Sequence, residues 1–476
     1  MKTMHAEAAN DNSTEDQAAL GAFQRAVSAK VGPSGTFAER ERAGLELANE
    51  LCRADQERDL AQRASRLNSA ELEIDGVGHR RHSEGSETYH GICGPLVVVR
   101  WVYRLAGMHN GPTVVALELD AGLMQGATPA LAYAVAHGYA QAPSRQVHAA
   151  MEVHHRLPPS RSTTERIAKA LGARVEQALP RLEPVVREQE ELPEAARGIV
   201  VGLDRTSVPM EEPLEGPARG KARKKPYLRA KPDPVEVNYR MAYVGTVSIV
   251  DAQGEALVTL RCGATAQDGP DQLIARMMAD VRHARGAGRR LRVGIVQDGA
   301  PEMWNLMRDG LRRLAGVHQW KEAIDRHHLV ERLADALSVC KFTQWWRNAK
   351  LGQWNDLLDR DDGAIDEIRA FVRDLYQTHR GTAQQALYKH ITYLDNNHDR
   401  MRYASMRKAG LPVGSGPTEG ACKSLVMTRA KRCGQRWHLT GVRSVLTLRA
   451  LDMSERLRPT FDLLTHDYTA SIKVAA

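Results

Sequence analysis

Three carboxylates stand where acidic side chains can serve phosphoryl chemistry. Asp204 closes the apolar run IVVGLD and Asp298 closes VGIVQD. Each is therefore expected at or near the C-terminal end of a buried strand, where α/β sheets present functional groups. Glu419 follows the Gly/Pro-rich turn PVGSGP and is expected in the first turn of a helix. From Gly420 to Leu451 no further Asp or Glu occurs, while Lys423, Arg429, Lys431, Arg432, Arg436, Arg443 and Arg449 all do. A lone strand-end Asp is often just a helix cap. Three acids from separated segments can instead ligate two Mg2+ or Mn2+ ions about 4 Å apart, which activate a water or 3′-hydroxyl and steady the leaving oxygen. Hard cations take oxygen donors, so Asp and Glu fit this role and Cys or His do not. The basic stretch beyond Glu419, with Lys423, Arg429, Lys431, Arg432 and Arg436, would then hold substrate phosphates.

The elements that must position these acids belong to a long, mildly basic chain. With 476 residues, two to four structural units are expected. A hydrophobic share of 42% with 26% charged residues fits a globular protein, not a disordered one. A net charge of +8, clustered rather than dispersed, suggests a polyanionic partner. No apolar run is long enough to span a bilayer and the N-terminus lacks a signal-peptide core, so a cytoplasmic protein without membrane contact is expected. Six scattered cysteines read as reduced thiols.

Residues 1–33 are polar and Ala-rich and read as frayed. A long helix is expected after Thr36, with Glu39 in capping-box spacing. The β-branched run GPLVVVRWVYR reads as a strand. His79, His82, His90 and Cys93 show H-x2-H and H-x2-C spacing, but the short inner gap and the position of Cys93 at a strand entrance argue against zinc. Three helical pieces follow, separated by QAPS and RLPPSRS. The last has Ser162 and Glu165 in capping-box spacing, an apolar stripe of Ile167, Leu171 and Val175, and basic residues including Arg161, Arg166, Lys169 and Arg174. Short helices, a tight turn and a basic last helix describe a helix-turn-helix whose final helix enters a DNA major groove. After a linker, EPVVREQEELPEAA, the pattern becomes strand, hairpin, helix, strand, helix, strand, helix: an α/β layout with a mixed sheet. Residues 342–410 read as helical, with Trp345, Trp346 and Trp354 either packed inward or stacking on unpaired bases. The stretch 215–234 carries seven Lys/Arg and reads as an electropositive loop.

Four ordered blocks, GLDRTSVPM, VQDGAPEMW, IDRHHLVERL and GSGPTEGACKSLVMTRAKRCGQRW, resemble those of the Kra-type bacterial insertion-sequence transposases, relatives of the Mutator-like superfamily. The resemblance extends over about 76–455. It implies an RNase H-like catalytic core with a helical insertion, preceded by an α-helical helix-turn-helix region and a small β element. The divisions it suggests are a helical region (1–75), a β-rich element (76–120), the helix-turn-helix (121–195), the first part of the core (196–341), the insertion (342–410), the last part of the core (411–455) and a tail (456–476). By the same resemblance Asp204, Asp298 and Glu419 form the metal-binding DDE triad, and Asp325 and His328 match a D-x-x-H block; His328 either assists at the active site or is a packed, hydrogen-bonded residue of its helix, with Asp325 accessory to the site. Thr418 stands where the family pattern leads one to expect an apolar residue. The implied activity is Mg2+- or Mn2+-dependent cleavage and strand transfer on double-stranded DNA, at transposon ends and target, by a homo-oligomer associated with the bacterial nucleoid. The alternative is a domesticated DNA-binding regulator that has lost catalysis. A phosphatase of the haloacid dehalogenase type would need a second acid at 206, which is Thr206. A stand-alone RNase H-like nuclease would not need the N-terminal DNA-binding region.

Overall fold

The computed structural model describes residues 14–214, 235–286 and 290–474; the basic stretch 215–234 lies outside them. Among the described residues the chain forms two units. One takes the chain up to Leu171 together with the stretch from Asp462, and the other takes Gly172–Phe461.

The first unit begins with two helices, α1 (Thr14–Val31) and α2 (Phe37–Arg66). The expectation of a frayed start fails from Thr14 onward. Ala18, Ala19, Ala22, Ala26 and Ala29 favour helix, and Lys30 pairs with Glu46 of α2 at 2.8 Å. The α2 cap is the expected box: Glu39 N–H donates to Thr36 Oγ1 at 3.3 Å, and Thr36 N–H donates to Glu39 Oε2 at 2.8 Å. Next come β1 (Glu71–Ile74), β2 (Val77–Gly91), β3 (Gly94–Leu105) and β4 (Thr113–Val114), joined by the C-terminal strand Ile472–Val474, which pairs with β1. Asp75 and Gly76, at φ 49° and 81°, make the tight β1–β2 turn. Leu60 and Ala64 of α2 share a core with Tyr89, Leu96, Val98 and Tyr103. Helix α2 and the strands of this unit therefore share one apolar core.

Helices α3 (Ala116–Ala121), α4 (Pro129–Gln141), α5 (Ser144–Val153) and α6 (Arg161–Glu188) follow. The three pieces expected for a helix-turn-helix are thus present as α4, α5 and α6. The start of α6 differs from expectation: Ser160, not Ser162, caps it, with Thr163 N–H donating to Ser160 Oγ at 3.3 Å. Glu165 instead accepts the Ser144 hydroxyl at 3.1 Å and pairs with Lys169 at 2.6 Å. The end differs as well. The expected Pro/Glu linker is helix as far as Glu188, through Pro180 and Pro184. An interior proline costs about 3 kcal/mol. The cost is offset because the buried stripe Ile167, Leu171, Val175 continues as Leu179, Leu182 and Val186.

In the second unit β5 (Gly198–Pro213), β6 (Val235–Val250), β7 (Ala256–Ala264), β8 (Arg292–Gln297) and β9 (Lys321–Ile324) form one mixed sheet in the order β7-β6-β5-β8-β9. β6 runs antiparallel to β5 and β7, while β5, β8 and β9 run parallel. Helices α7 (Asp271–Gly286), α8 (Pro301–Arg312) and α9 (Arg326–Val339) alternate with the later strands, and α10 (Gln344–Arg360), α11 (Ala364–Thr378), α12 (Gly381–Asn397) and α13 (Tyr403–Lys408) fill the helical stretch. Trp354 packs edge-on against Phe371, and Trp346 stacks on Phe342 with centroids 4.1 Å apart, whereas Trp345 is 79% exposed. The chain closes through α14 (Gly416–Ala421), a π-helical turn (Cys422–Met427), α15 (Thr428–Ala430), α16 (Leu439–Met453) and α17 (Leu457–Thr465). Among the described residues no helix is long and apolar enough to cross a membrane.

Buried charge ties α6 to α7 and to Arg456 before α17. Asp280, 3% exposed, accepts Arg187 Nε at 2.7 Å and Arg456 Nη2 at 2.9 Å on one oxygen, and Arg276 is bidentate on Glu183. Asp280→Ala would remove the carboxylate shared by two buried guanidinium groups, leaving Arg187 only Glu183 at 4.0 Å while Arg456 keeps its bidentate pair with Glu190. We expect chemical denaturation to show a loss of about 3–5 kcal/mol; a loss under 1 kcal/mol would show that water replaces the carboxylate.

Candidate active site

Asp204 does not end its strand. β5 continues to Pro213 because β6 pairs along its whole length, from Gly198↔Val250 to Pro213↔Val235. What stops short of Asp204 is the parallel ladder with β8, whose last pair is Val201↔Ile295. Beyond that point the two strands part and a cavity opens. Gln297, buried at the end of β8, still reaches across, its Oε1 accepting Leu203 N–H at 3.3 Å. Asp298 follows directly, as expected, in a turn where its Oδ1 accepts Ala300 N–H at 3.1 Å and its carbonyl accepts Trp304 Nε1–H at 2.6 Å.

Glu419 arrives on α14, which lies directly over β5. A Cβ on Gly202 would fall 2.2 Å from Thr418 Oγ1 and 2.9 Å from Val296 O, so this crossing requires glycine. Thr418, the departure from the expected apolar residue, is buried with its hydroxyl 2.7 Å from that of Thr246. A pair of matched hydroxyls thus does the work of an apolar contact.

Asp204, Asp298, Glu419, His328 and Lys423 all line this one cavity of about 260 Å³, together with Gln297, Ser415 and Cys422. Asp204 Oδ1 accepts Arg205 N–H at 2.7 Å. Burial and then the negative charge of Asp204 push the Cys422 thiol well above its ordinary range, so it stays protonated and offers no thiolate. Apart from the His328 imidazole, the metal donors facing the cavity are therefore hard oxygens, which suit Mg2+ or Mn2+. His328 lies between two carboxylates, with Nδ1 3.8 Å from Asp325 Oδ1 and Nε2 3.9 Å from Glu419 Oε1. Among the described residues, Asp325, His328 and Glu419 are the trio whose ligand atoms all lie within 4.8 Å. Asp204 and Asp298 stand outside it, and His79, His82, His90 and Cys93 form no such group. Carboxylates that share a pair of ions about 4 Å apart need not converge on one point.

Asp325 caps α9 and is 2% exposed. Burial alone would raise its carboxyl, but hydrogen bonds from the Ser415 backbone and hydroxyl and from His328 N–H hold it below its ordinary range. It therefore remains charged until the pH falls below the usual carboxylate region.

The basic stretch behaves less uniformly than expected. Helical structure beyond Glu419 stops at Ala430, short of Lys431, Arg432 and Arg436. Gly434 takes φ 74°, and Trp437 runs beside β5, exchanging hydrogen bonds with Pro209 and Glu211. Arg429 is 1% exposed with its guanidinium 5.0 Å from the Trp437 ring centroid, so it is a packing residue and not a free phosphate ligand. Arg449 is also buried, donating to Ser424 O at 2.7 Å in the π-helical turn. Lys431 donates to Ser207 Oγ at 3.2 Å and Arg432 to Thr428 O at 2.7 Å. Lys423 and Arg436 are exposed. On α6, Arg161 and Arg166 are exposed, whereas Lys169 is held by Glu165.

Sequence reasoning missed Ser415, Gln297, Cys422 and Tyr393. Tyr393 comes from α12, and the space for its ring depends on Gly299, where a Cβ would meet it at 2.8 Å. Burial, with Asp298 and Asp325 nearby, pushes its phenol up to about 12. Only its placement after folding brings it beside Asp298 and Gly299, next to the site. Neither a protein-family model nor a curated protein matches this chain.

The hydroxyl pair gives a direct test of this packing. Thr418→Val strands the Thr246 hydroxyl and is expected to cost about 1–3 kcal/mol. Thr246→Val added to it should recover most of the loss; a double variant no more stable than Thr418→Val would contradict the account.

Proposed function

We propose that the chain is a DDE transposase of the Kra-type insertion-sequence family, cutting and joining DNA through an RNase H-like core. One observation carries this reading: carboxylates from mid-β5, the end of β8 and α14 meet in a single cavity. The mixed sheet and the helices between Asp325 and Glu419 support it, since the resemblance calls for a core with such an insertion. When bound, a pair of Mg2+ or Mn2+ ions would activate the attacking oxygen and stabilise the leaving one. Asp204, Asp298 and Glu419 hold that charge in place. His328, with Nε2 toward Glu419, is stationed to accept or return a proton at the cavity wall. Lys423, on the cavity wall, and Arg436 offer cations to the DNA backbone, and Arg161 and Arg166 offer them from α6. Double-stranded transposon ends and target DNA, a homo-oligomeric state and a place at the nucleoid belong to the same proposal.

Asp204→Asn, Asp298→Asn and Glu419→Gln keep shape and remove charge. In a gel assay with the element's terminal DNA, each is expected to abolish Mg2+-dependent cleavage while binding persists. Cleavage by these variants, or by wild type in EDTA, would refute the assignment, and wild type that binds but never cuts would favour the domesticated regulator.

The buried position of Arg429 divides the basic residues. Lys423→Ala with Arg436→Ala should weaken DNA binding and make its salt dependence shallower by roughly one unit per lost contact. Arg166→Ala with Arg161→Ala should do the same from α6. Arg429→Ala should chiefly lower the melting temperature. Unchanged salt slopes in both double variants would mean that neither surface meets phosphate.

A further inference from the structure

Ser415 breaks a local rule. It is the N-cap of α14, and its carbonyl accepts the N–H groups of Thr418 at 2.8 Å and Glu419 at 3.0 Å, yet its hydroxyl makes no capping bond. A capping serine usually offers that oxygen to the first-turn N–H groups, a bond whose loss costs about 1 kcal/mol. Here the hydroxyl turns the other way. It lies 2.7 Å from Asp325 Oδ2 and 3.1 Å from Glu419 Oε1, and the Ser415 N–H also donates to Asp325 Oδ2. Asp325 Oδ1 accepts His328 N–H at 3.0 Å. Ser415 is 4% exposed, so these bonds form away from bulk water. Asp325 Oδ1 and Oδ2 thus each accept a backbone N–H, the one hydroxyl proton of Ser415 is shared between Asp325 Oδ2 and Glu419 Oε1, and the two donors of Ser415 join the start of α9 to the loop that carries Glu419.

We infer that Asp325 and Ser415 form a brace that sets the Glu419 carboxylate for metal binding, with Asp325 itself outside the ligand set. This rests on the metal-dependent reading proposed above. The brace explains why the trio Asp325, His328 and Glu419 is so close: Asp325 accepts the His328 N–H and meets Glu419 through the Ser415 hydroxyl, with no ion needed to gather them. It also assigns the forgone cap a purpose. Glu419 sits on a six-residue helix after a glycine-rich loop; Thr418 packing on Gly202 and Thr246 places that helix, and the brace sets the carboxylate it carries.

Both residues act through Glu419, so they are positioning residues. The test is Mn2+ binding to the full chain, titrated by electron paramagnetic resonance without DNA. Removing an outer partner of a metal ligand typically costs about 10–100-fold in metal affinity. Ser415→Ala is expected to weaken Mn2+ binding by about that factor, while the metal-free melting temperature stays near wild type because the backbone bond to Asp325 remains. Ser415→Thr, which keeps the hydroxyl, should bind as wild type does. Wild-type affinity in Ser415→Ala, or a Ser415→Thr as weak as Ser415→Ala, would overturn the brace and leave the triad standing. Wild type with no saturable Mn2+ binding would overturn the metal reading itself and the brace with it. Should Ser415→Ala fail to fold, the same titration on Ser415→Cys, a weaker donor of similar shape, decides the matter.

Discussion

Like charges must be held together for this site to exist. Two carboxylates about 4 Å apart repel by roughly 4 kcal/mol at the effective dielectric of a protein surface, and a flexible chain would separate them. The frame that prevents this is the sheet. β5 and β8 run side by side up to Val201 and Ile295 and then diverge, leaving Asp204 and Asp298 on either side of the opening. Gln297 crosses the gap to Leu203 and keeps it from widening. The remaining acid, Glu419, has no strand of its own and must be brought to the same place by helix packing.

That packing is specified with little tolerance. Gly202 lets α14 approach β5, and Thr418 and Thr246 satisfy one another in the buried contact. Arg449 from α16 holds the carbonyl of Ser424 in the π-helical turn after α14, and Arg429 lies over Trp437. Buried cations therefore build the scaffold on which Lys423 is displayed. The stretch without acids between Gly420 and Leu451 serves two purposes, and only burial separates them. A guanidinium can pack its plane on an aromatic ring and still donate to carbonyls, which a lysine cannot do as well.

Much of this was legible in the sequence because it depended on local pattern. The box at Thr36 and Glu39, the apolar stripe of α6, the hairpin across Asp251–Glu255 and the strand before Asp298 all follow from spacing and turn chemistry. Where the reading failed, a distant partner decided the outcome. β5 runs on past Asp204 because β6 pairs with it residue by residue. α6 runs on through two prolines because Leu182, Val186 and the buried pairs of Glu183 and Arg187 reward its continuation. Arg429 was read as a surface cation because nothing within its own segment reveals that Trp437 folds back over it. Ser415, Tyr393 and Cys422 were invisible for the same reason: each acquires meaning only from residues far away in the chain.

The central claim is that Asp204, Asp298 and Glu419 hold divalent metal. Crystals of the protein with Mn2+ and a terminal DNA duplex, measured at the manganese absorption edge, address it directly. The account predicts anomalous density between these three carboxylates, lost in Asp298→Asn. Density centred on Asp325 and His328, or none in the cavity of a folded, DNA-bound protein, would contradict it.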